Sequence, residues 1–299
     1  MRFGLVGTGH WARIAHAPAL ASTPGISLAA IWGRNADAAR SLAAEHGAAG
    51  FSDVGGFLDA VDAVAFAVPP DVQAQLAVRA AEAGKHLLLE KPVALSVSDA
   101  DKLVAAVAAA DVASVVFFTH QFNTEIRAWL ADERARGAGG GWSGGVAVWL
   151  GAALQPDNPF NTPWRREKGG LWDLGPHVVA MLWACLGPVT SVTAVAGGTD
   201  VTHLVLWHSG GASSTATMTL SAPQAATGTN LFVWGEAGRS VMPAMPDDPV
   251  EALRVAALEL VASAESGRPH PCDVRFGRDV VKVLAEAQAQ LEGARSAER

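Results

Sequence analysis

A glycine turn near the N-terminus sets narrow limits on how this chain folds. Phe3–Gly7 has the composition of a buried strand, and Gly7–Ala12 reads G-T-G-H-W-A. This is the G-x-G-x-x-A pattern: the first glycine makes a tight turn, the second lets the backbone approach a pyrophosphate, and the small third residue lets helix and strand pack closely. The helix that follows would direct free N–H groups at the phosphates. The pattern therefore predicts a dinucleotide site.

Strand-like and helix-like segments alternate through the first third of the chain. The segments between the strands favour helices, and one of them begins with a Ser-x-x-Asp capping box at Ser96. Alternation with short connections predicts a parallel, doubly wound Rossmann sheet over residues 1–119. The strand-like runs after the glycine turn are Ile26–Trp32, Ala63–Val68, His86–Leu89 and Val112–Thr119.

Beyond residue 119 the pattern changes to strands with little helix between them. We expect residues 120–299 to form a second, α+β domain with a mostly antiparallel open sheet. Some strands have apolar residues at consecutive positions, so we expect both faces of this sheet to be covered. The predicted strands are Val146–Leu150, Val189–Ala196, Thr202–Trp207, Ser214–Leu220 and Leu231–Gly235. Helices are predicted at Asn123–Arg136, Pro176–Leu186, Val250–Ser266 and Arg275–Glu292.

Composition and charge narrow the classes of partner. The formal net charge is −7, so the chain lacks the basic surface typical of proteins that bind nucleic acid or anionic membranes. No apolar run approaches the roughly 18 residues of a membrane span, and Met1 leads straight into a strand-like run, so we expect a cytoplasmic protein. Cys185 and Cys272 are too few for a disulfide framework or a cysteine zinc cluster, and the histidines lack metal-ligand spacing. We therefore expect no metal.

The end of the second predicted strand bears on which dinucleotide binds. Trp32–Asn35 reads W-G-R-N, without the acidic residue that would hold the adenine ribose of NAD. The guanidinium of Arg34 could pair with a 2′-phosphate and stack on adenine, which favours NADP over NAD. In the alternative interpretation Arg34 is a solvated loop residue, and Asp37 or the main chain holds the ribose.

Three chemically active side chains stand at places where they could meet the cofactor. Lys91 directly follows a predicted strand, and ligands of doubly wound sheets bind at the carboxyl ends of the strands. Asp173 and His177 lie four residues apart where a glycine-rich segment leads into an apolar helix, and that spacing brings them close together. If they converge, a lysine, an aspartate and a histidine would supply a positive hydrogen-bond donor, an orienting carboxylate and a general base.

The order and spacing of these motifs resemble the glucose–fructose oxidoreductase and inositol dehydrogenase family, often called Gfo/Idh/MocA. The resemblance covers nearly the whole chain. It implies an NAD(P)-dependent dehydrogenase or reductase that transfers a hydride between nicotinamide and a hydroxyl or carbonyl carbon of a sugar, polyol or related molecule. The motifs that carry it are Gly7–Ala12, Ala83–His86 with Glu90–Pro92, Gly169-Gly170 followed by Asp173, Gly175 and His177, and Arg268–Asp273.

The resemblance also implies the role of each site residue. His177 would take the hydroxyl proton, Lys91 would polarise the substrate oxygen, and Asp173 would fix the substrate or the histidine. The peptide bond between Lys91 and Pro92 is expected to be cis, as it often is in the family. The residues expected to bind the cofactor are Gly7, Thr8, Gly9, His10, Trp11, Ala12, Arg34, Asn35, Pro69, Glu90 and Lys91.

The chain departs from the family pattern at two positions. Gln73 stands where members often have a histidine, four residues after Pro69, and Gln121 stands where they often have an arginine. The second change leaves the substrate class open. Trp164 and Arg165 align with a family Trp-Arg pair, so we include them with Gln121 as candidate substrate contacts.

Assembly and two other functions also follow from the resemblance. The resemblance implies that the second domain, residues 120–299, binds the substrate, and members commonly pair through its sheet, which predicts a homodimer or a homotetramer. An NAD-dependent glycosidase of the same fold, which oxidises its substrate transiently, is one alternative to a dehydrogenase. A non-catalytic dinucleotide-binding protein is the other.

Overall fold

The computed structural model describes residues 1–137, 141–236, 238–244 and 248–297. The chain forms two compact units, of which the first contains Met1–Phe122 and Asp247–Asp279 and the second contains Asn123–Pro246 and Val280–Arg299. The chain first passes from the first unit to the second after Phe122, close to the predicted division after residue 119. The return of the chain to the first unit differs from the single continuous second domain that we expected.

The first unit contains a six-stranded sheet in the order β3-β2-β1-β4-β5-β6, and every neighbouring pair is parallel. This order is that of a Rossmann sheet, so the predicted fold class is confirmed. The central strands are buried on both faces, as the full burial of Phe3, Leu5 and Val64 shows. The strands are β1 (Arg2–Val6), β2 (Ser27–Trp32), β3 (Ala49–Phe51), β4 (Ala63–Phe66), β5 (His86–Glu90) and β6 (Ser114–Phe117).

Four helices of the first unit begin at short polar side chains that cap their free N–H groups. Asn35 accepts from two backbone N–H groups of its helix, and Ser96 accepts from Asp99 as the capping box predicts. The helices are α1 (Ala17–Ser22), α2 (Ala36–Glu45), α3 (Val54–Asp59), α4 (Pro70–Glu82), α5 (Val97–Ala110), α6 (Thr119–Phe122) and α10 (Pro249–Ser266), and a π-helical turn (Ala12–His16) precedes α1. The four capped helices are α2, α3, α5 and α10.

The helix α10 explains why a late part of the sequence belongs to the first unit. It packs against β5, β6 and α1, and it buries Leu253, Ala257 and Leu260. The segment after it continues this packing, because the Cys272 carbonyl accepts a hydrogen bond from the Val116 backbone N–H at 2.7 Å.

The second unit is built on another six-stranded sheet, in the order β12-β11-β7-β10-β9-β8. Its pairs are antiparallel except for β7 and β10, which run parallel, so the expected mostly antiparallel sheet is confirmed. The strands are β7 (Trp142–Leu150), β8 (Val189–Ala196), β9 (Thr202–His208), β10 (Ser213–Thr219), β11 (Gly228–Gly235) and β12 (Gly238–Val241).

Helices pack on one face of the second sheet. α9 contacts β7 and β10, and the Gln290 side chain of α11 bonds the backbone of β8 at Val192 and Ala194. Several large apolar side chains remain exposed on strands of this sheet, among them Trp207 and Trp234. The helices are α7 (Thr124–Gly137), α8 (Pro163–Asp173), α9 (Gly175–Leu186) and α11 (Val274–Ala297), which starts in the first unit, and a 3₁₀ turn covers Gln224–Ala226.

Candidate active site

The glycine turn lies directly after β1, and its two glycines are required for different reasons. Gly7 has a φ of 129°, and a Cβ there would collide with the carbonyl oxygen of Ala67. At Gly9 no heavy atom lies within 4 Å of the position a Cβ would take, so the space beside its backbone is open. Ala12 is fully buried. A tight turn that only glycine accommodates, an open backbone and a small buried residue fit the pyrophosphate of a dinucleotide.

The residues after β2 are arranged in a way that bears on cofactor choice. The Asn35 side chain is occupied as the N-cap of α2, where it accepts from the N–H groups of Asp37 and Ala38. The Asp37 carboxylate forms an ion pair with Arg40. Arg34 is exposed and forms no hydrogen bond or ion pair with any residue that the structure describes. Among Arg34, Asn35 and Asp37, Arg34 is therefore the residue whose side chain has no hydrogen bond or ion pair, within the described part of the chain, that would compete with a bound cofactor.

A buried network ties the first helical turn to the end of β5. The indole N–H of Trp11 donates to Glu90 Oε1 at 2.6 Å, and Nε2 of His16 lies 2.9 Å from the same oxygen. The other carboxylate oxygen accepts from the backbone N–H of Lys91 at 3.2 Å. Two predicted cofactor residues, Trp11 and Glu90, are thus in contact with each other, and His16, which the sequence did not suggest, joins them.

Gln73 holds the backbone next to Lys91. It is fully buried on α4, its Oε1 accepts from the Glu90 N–H at 2.8 Å, and its Nε2 donates to the Glu90 carbonyl at 2.7 Å and the Pro92 carbonyl at 3.2 Å. The pairing of β4 with β5 ends at Leu88, so the side-chain amide takes the place of a neighbouring strand for Glu90. The peptide bond between Lys91 and Pro92 is cis, as expected.

His120 lies near Lys91, and the sequence did not single it out as a candidate site residue. His120 is 5% exposed, and burial, together with the positive charge of Lys91, lowers the pKa of its imidazole to about 4. It is therefore neutral near pH 7, which leaves Lys91 as the charged member of the pair. Only its position beside Gln121 could have drawn attention to it in the sequence.

Gln121, a candidate substrate contact, lies beside the segment that returns to the first unit. Its Oε1 accepts a hydrogen bond from Cys272 Sγ at 3.1 Å. The ring of His270 stacks on Phe122 with a centroid distance of 5.8 Å, and its Nε2 lies 2.9 Å from Glu259. The residues after His120 are thus held by a segment about 150 positions away in sequence.

In the second unit, Asp173 is bound by Arg165. The guanidinium donates through Nε to one carboxylate oxygen at 2.9 Å and through Nη2 to the other at 3.2 Å. The side chains of Arg165 and Asp173 are 17% and 8% exposed, and the guanidinium lies 4.7 Å from the ring centre of Trp164. Two candidate substrate residues, Trp164 and Arg165, thus belong to the surroundings of a candidate catalytic carboxylate.

His177 lies in the first turn of α9 and is 8% exposed. Asp173 ends α8, and Leu174, which joins the two helices, has a helical backbone. Asp173 and His177 therefore lie four residues apart on one helical path. The path bends before both of them, within α8, where Gly169 has a φ of 65°.

The predicted residues divide between the units. The first unit contains the glycine turn with Thr8 and His10, as well as Arg34, Asn35, Pro69, Glu90, Lys91 and Gln121, whereas the second contains Trp164, Arg165, Asp173 and His177. The meeting of Lys91 with His177 remains a prediction. Within the described ranges, no group of three or more histidine, cysteine or acidic residues could hold a metal ion. No described helix is both long and apolar enough to cross a membrane.

Comparisons with known proteins agree with this architecture. The model of the oxidoreductase family with an NAD-binding Rossmann fold matches residues 1–118, and that of the GFO/IDH/MocA C-terminal domain matches residues 145–241. The NAD-binding domain of this oxidoreductase family is thus followed by the family's C-terminal domain. The chain belongs to the Gfo/Idh/MocA family, and it is an NAD-binding oxidoreductase.

Individual relatives match nearly the whole chain or a part of it. The uncharacterized oxidoreductase ORF334 of Rhizobium meliloti is 27% identical over 98% of this chain and 97% of its own. UDP-N-acetylglucosamine 3-dehydrogenase of Acidithiobacillus ferrooxidans is 38% identical over 35% of this chain and 32% of its own, and a solved structure of that enzyme superposes with a TM-score of 0.80 at 22% identity, covering 98% of both chains. A levoglucosan dehydrogenase in complex with NADH and levoglucosan has a TM-score of 0.84 at 19% identity and covers 97% of this chain and 98% of its own.

Proposed function

We propose that this protein is an NAD(P)-dependent dehydrogenase that oxidises a CH–OH group of a sugar or polyol. The observation that carries the proposal is the position of Lys91, which follows β5 in the same unit as the glycine turn and stands beside a neutral His120. Relatives named as dehydrogenases of UDP-N-acetylglucosamine, levoglucosan and glucose 6-phosphate support a sugar as the substrate class.

The proposed mechanism assigns one task to each residue. The Lys91 ammonium donates a hydrogen bond to the substrate oxygen, which stabilises negative charge as the O–H bond weakens. His177 accepts the hydroxyl proton as a general base. The nicotinamide, when bound, supplies the acceptor for the hydride of the substrate carbon. Asp173, held by Arg165, orients the substrate or His177 from a fixed position.

The first experiment screens UDP-N-acetylglucosamine, levoglucosan and glucose 6-phosphate for reduction of NAD and NADP. We expect Lys91→Ala to lower kcat/KM by about 10²–10³-fold, as loss of an oxyanion donor does. We expect His177→Asn to lower it by about 10²–10⁴-fold. Lys102→Ala changes an exposed lysine that pairs with Asp99 on the surface of α5, and it serves as the control. Activity of Lys91→Ala within threefold of wild type would refute the mechanism, whereas glycoside cleavage without net cofactor reduction would establish the glycosidase instead.

We further propose that the cofactor preferred is NADP. Support comes from the unengaged Arg34, from the occupied side chains of Asn35 and Asp37, and from the absence of an acid at the end of β2. Titration through tryptophan fluorescence should show at least about tenfold tighter binding of NADPH than of NADH, which corresponds to about 1.4 kcal/mol. Arg34→Ala should remove this difference while NADH affinity stays the same. Equal affinities in the wild type would contradict the proposal.

We also propose that two copies pair through the exposed face of the second sheet. Val195, Trp207, Trp234 and Val241 are 57%, 42%, 48% and 47% exposed, and large apolar groups on one sheet favour burial against a partner. Light scattering should give at least twice the 30.8-kDa chain mass for wild type and the monomer mass for Trp207→Glu combined with Trp234→Glu. Leu258→Glu, at an exposed apolar position of the first unit, is the control. A monomeric wild type would refute this assembly.

A further inference from the structure

The helical path that leads to Asp173 and His177 is interrupted four residues before Asp173. Gly169 has φ 65° and ψ −165°, which no helix accommodates, so Gly170 starts a new helical segment inside α8. The first N–H groups of a helical segment lack partners within the helix and require a cap. Here the cap comes from a distant residue, because Asp200 Oδ1 accepts from the Gly170 N–H at 2.8 Å.

Asp200 lies in the turn between β8 and β9, and its second oxygen is also engaged. Oδ2 accepts from the Leu220 N–H at 2.6 Å and lies 3.4 Å from the hydroxyl of Thr219, at the end of β10. The carboxylate therefore joins three separate stretches of the second unit. A Cβ on Gly169 would collide with Asp200 Oδ1, so the glycine leaves the space that the carboxylate occupies.

Hydrogen bonds continue from this cap to the candidate general base. The Gly170 carbonyl accepts from the Leu174 N–H at 2.9 Å, and the Leu174 carbonyl accepts from the Val178 N–H at 3.1 Å. Asp173 lies in the first of these two turns and His177 in the second. The position of Gly170 therefore fixes the position from which both side chains project.

We propose that Asp200 is a positioning residue for the reaction, which holds the segment that carries Asp173 and His177 through the backbone of Gly170. The inference rests on the proposed function, since it assigns Asp200 a task in the same chemistry. Its carboxylate suits the task because a negative charge at the start of a helical segment interacts favourably with the N–H groups and with the helix dipole. It acts through backbone and is given no contact with substrate or cofactor.

Asp200→Asn tests the assignment with little change in shape. Asparagine tolerates the φ of 64° found at this residue, but its side-chain NH₂ would replace one of the two acceptors that face backbone N–H groups. Asp157→Asn is the matched control, because Asp157 has the same φ and its exposed side chain accepts no hydrogen bond from the part of the chain that the structure describes.

For the sugar that the wild type oxidises, kcat of Asp200→Asn should fall by about 10–10²-fold, the scale expected for a misplaced catalytic group. KM and the Kd for NADPH should stay within twofold of the Asp157→Asn values. A kcat equal to that of the control would overturn the proposal. A loss of NADPH affinity equal to the loss in kcat would also overturn it, because the effect would then be global.

Two further readouts need no substrate, so they separate failure of this inference from failure of the dehydrogenase proposal. In ¹⁵N-histidine-labelled protein, the His177 side-chain signals, assigned with His177→Asn, should move in Asp200→Asn and stay in place in Asp157→Asn. In the wild type, the amides of Gly170 and Leu220 should exchange with solvent at least about 100-fold more slowly than unprotected amides. Unmoved His177 signals in the folded variant would overturn the role of Asp200. Unprotected Gly170 and Leu220 amides in the wild type would overturn it even if the variant fails to fold.

Discussion

Gln73 offers a sharp test of how the backbone before Lys91 is held in place. In Gln73→Met, a side chain of similar length keeps the apolar contacts of α4 but loses both polar atoms. The N–H and the carbonyl of Glu90 then lose their hydrogen-bond partner at once. The third contact, from Nε2 to the Pro92 carbonyl, is longer and adds less.

The magnitude follows from the burial of these groups. A buried backbone group left without a partner costs about 1–3 kcal/mol. Glu90 is only half-buried, so water can reach it in part, and the lower half of that range applies to each of its two groups. We therefore expect Gln73→Met to lower the free energy of unfolding by about 2–4 kcal/mol. Because the same backbone leads into Lys91, we also expect kcat to fall.

Urea unfolding followed by circular dichroism measures this difference, provided that the slope with urea is unchanged. Gln75→Met is the matched control, because Gln75 lies on the same helix, is exposed, and forms no side-chain hydrogen bond with the described residues. Surface changes of this kind stay within about 0.5 kcal/mol of wild type. If Gln73→Met also stays within that limit, the side-chain amide contributes nothing and the reasoning is wrong.

Three other predictions concern different parts of the structure. Gly9→Ala should keep the melting temperature but weaken NADPH binding about tenfold or more, because its methyl group enters only open space, whereas Gly7→Ala should lower the melting temperature itself. Arg165→Ala should cost about 3 kcal/mol in urea unfolding because it removes the guanidinium that pairs with the buried Asp173 carboxylate, and replacing both residues by leucine should recover part of that loss. The pKa of His120 is about 4 in the folded protein and 6.5 in an unfolded chain, so the unfolded state binds more protons between these two pH values. Acidification from pH 6.5 to 4 should therefore lower the free energy of unfolding by up to about 3 kcal/mol. His120→Asn should make the free energy of unfolding depend less on pH in this range.

Sequence patterns predicted where strands and helices lie better than they predicted which elements pack together. The glycine turn and the alternation of strands and helices indicated the parallel sheet because each is a local pattern with a known consequence. The strand Ala49–Phe51 was missed, since three largely exposed residues show no periodicity. The helix Pro249–Ser266 was predicted almost to the residue, but an amphipathic pattern identifies the face that is buried and not the unit that buries it.

The candidate site shows the same limit in its side-chain contacts. Lys91, Asp173 and His177 could be singled out because their types and neighbours carry the chemistry. The groups that hold them could not, because Gln73 reaches Glu90 across 17 positions and Asp200 reaches Gly170 across 30. Such pairs depend on which turns of the chain meet, and no local spacing encodes that. Even the nearer pair of Arg165 with Asp173 depends on the bend at Gly169.

The contacts around Asp173, His120 and Lys91 indicate which of the candidate groups can accept a proton. Both oxygens of Asp173 accept guanidinium hydrogen bonds from Arg165, so fewer lone pairs remain to receive a proton from substrate. In the first unit, His120 stays neutral near pH 7 and leaves Lys91 as the positive donor. In the proposed reaction, proton acceptance falls to His177, whose helical turn is connected to the Asp200 cap. Arg165→Ala, which removes this ion pair, should therefore not restore activity when it is combined with His177→Asn, because the Asp173 carboxylate then loses the contact with Arg165 that fixes its position.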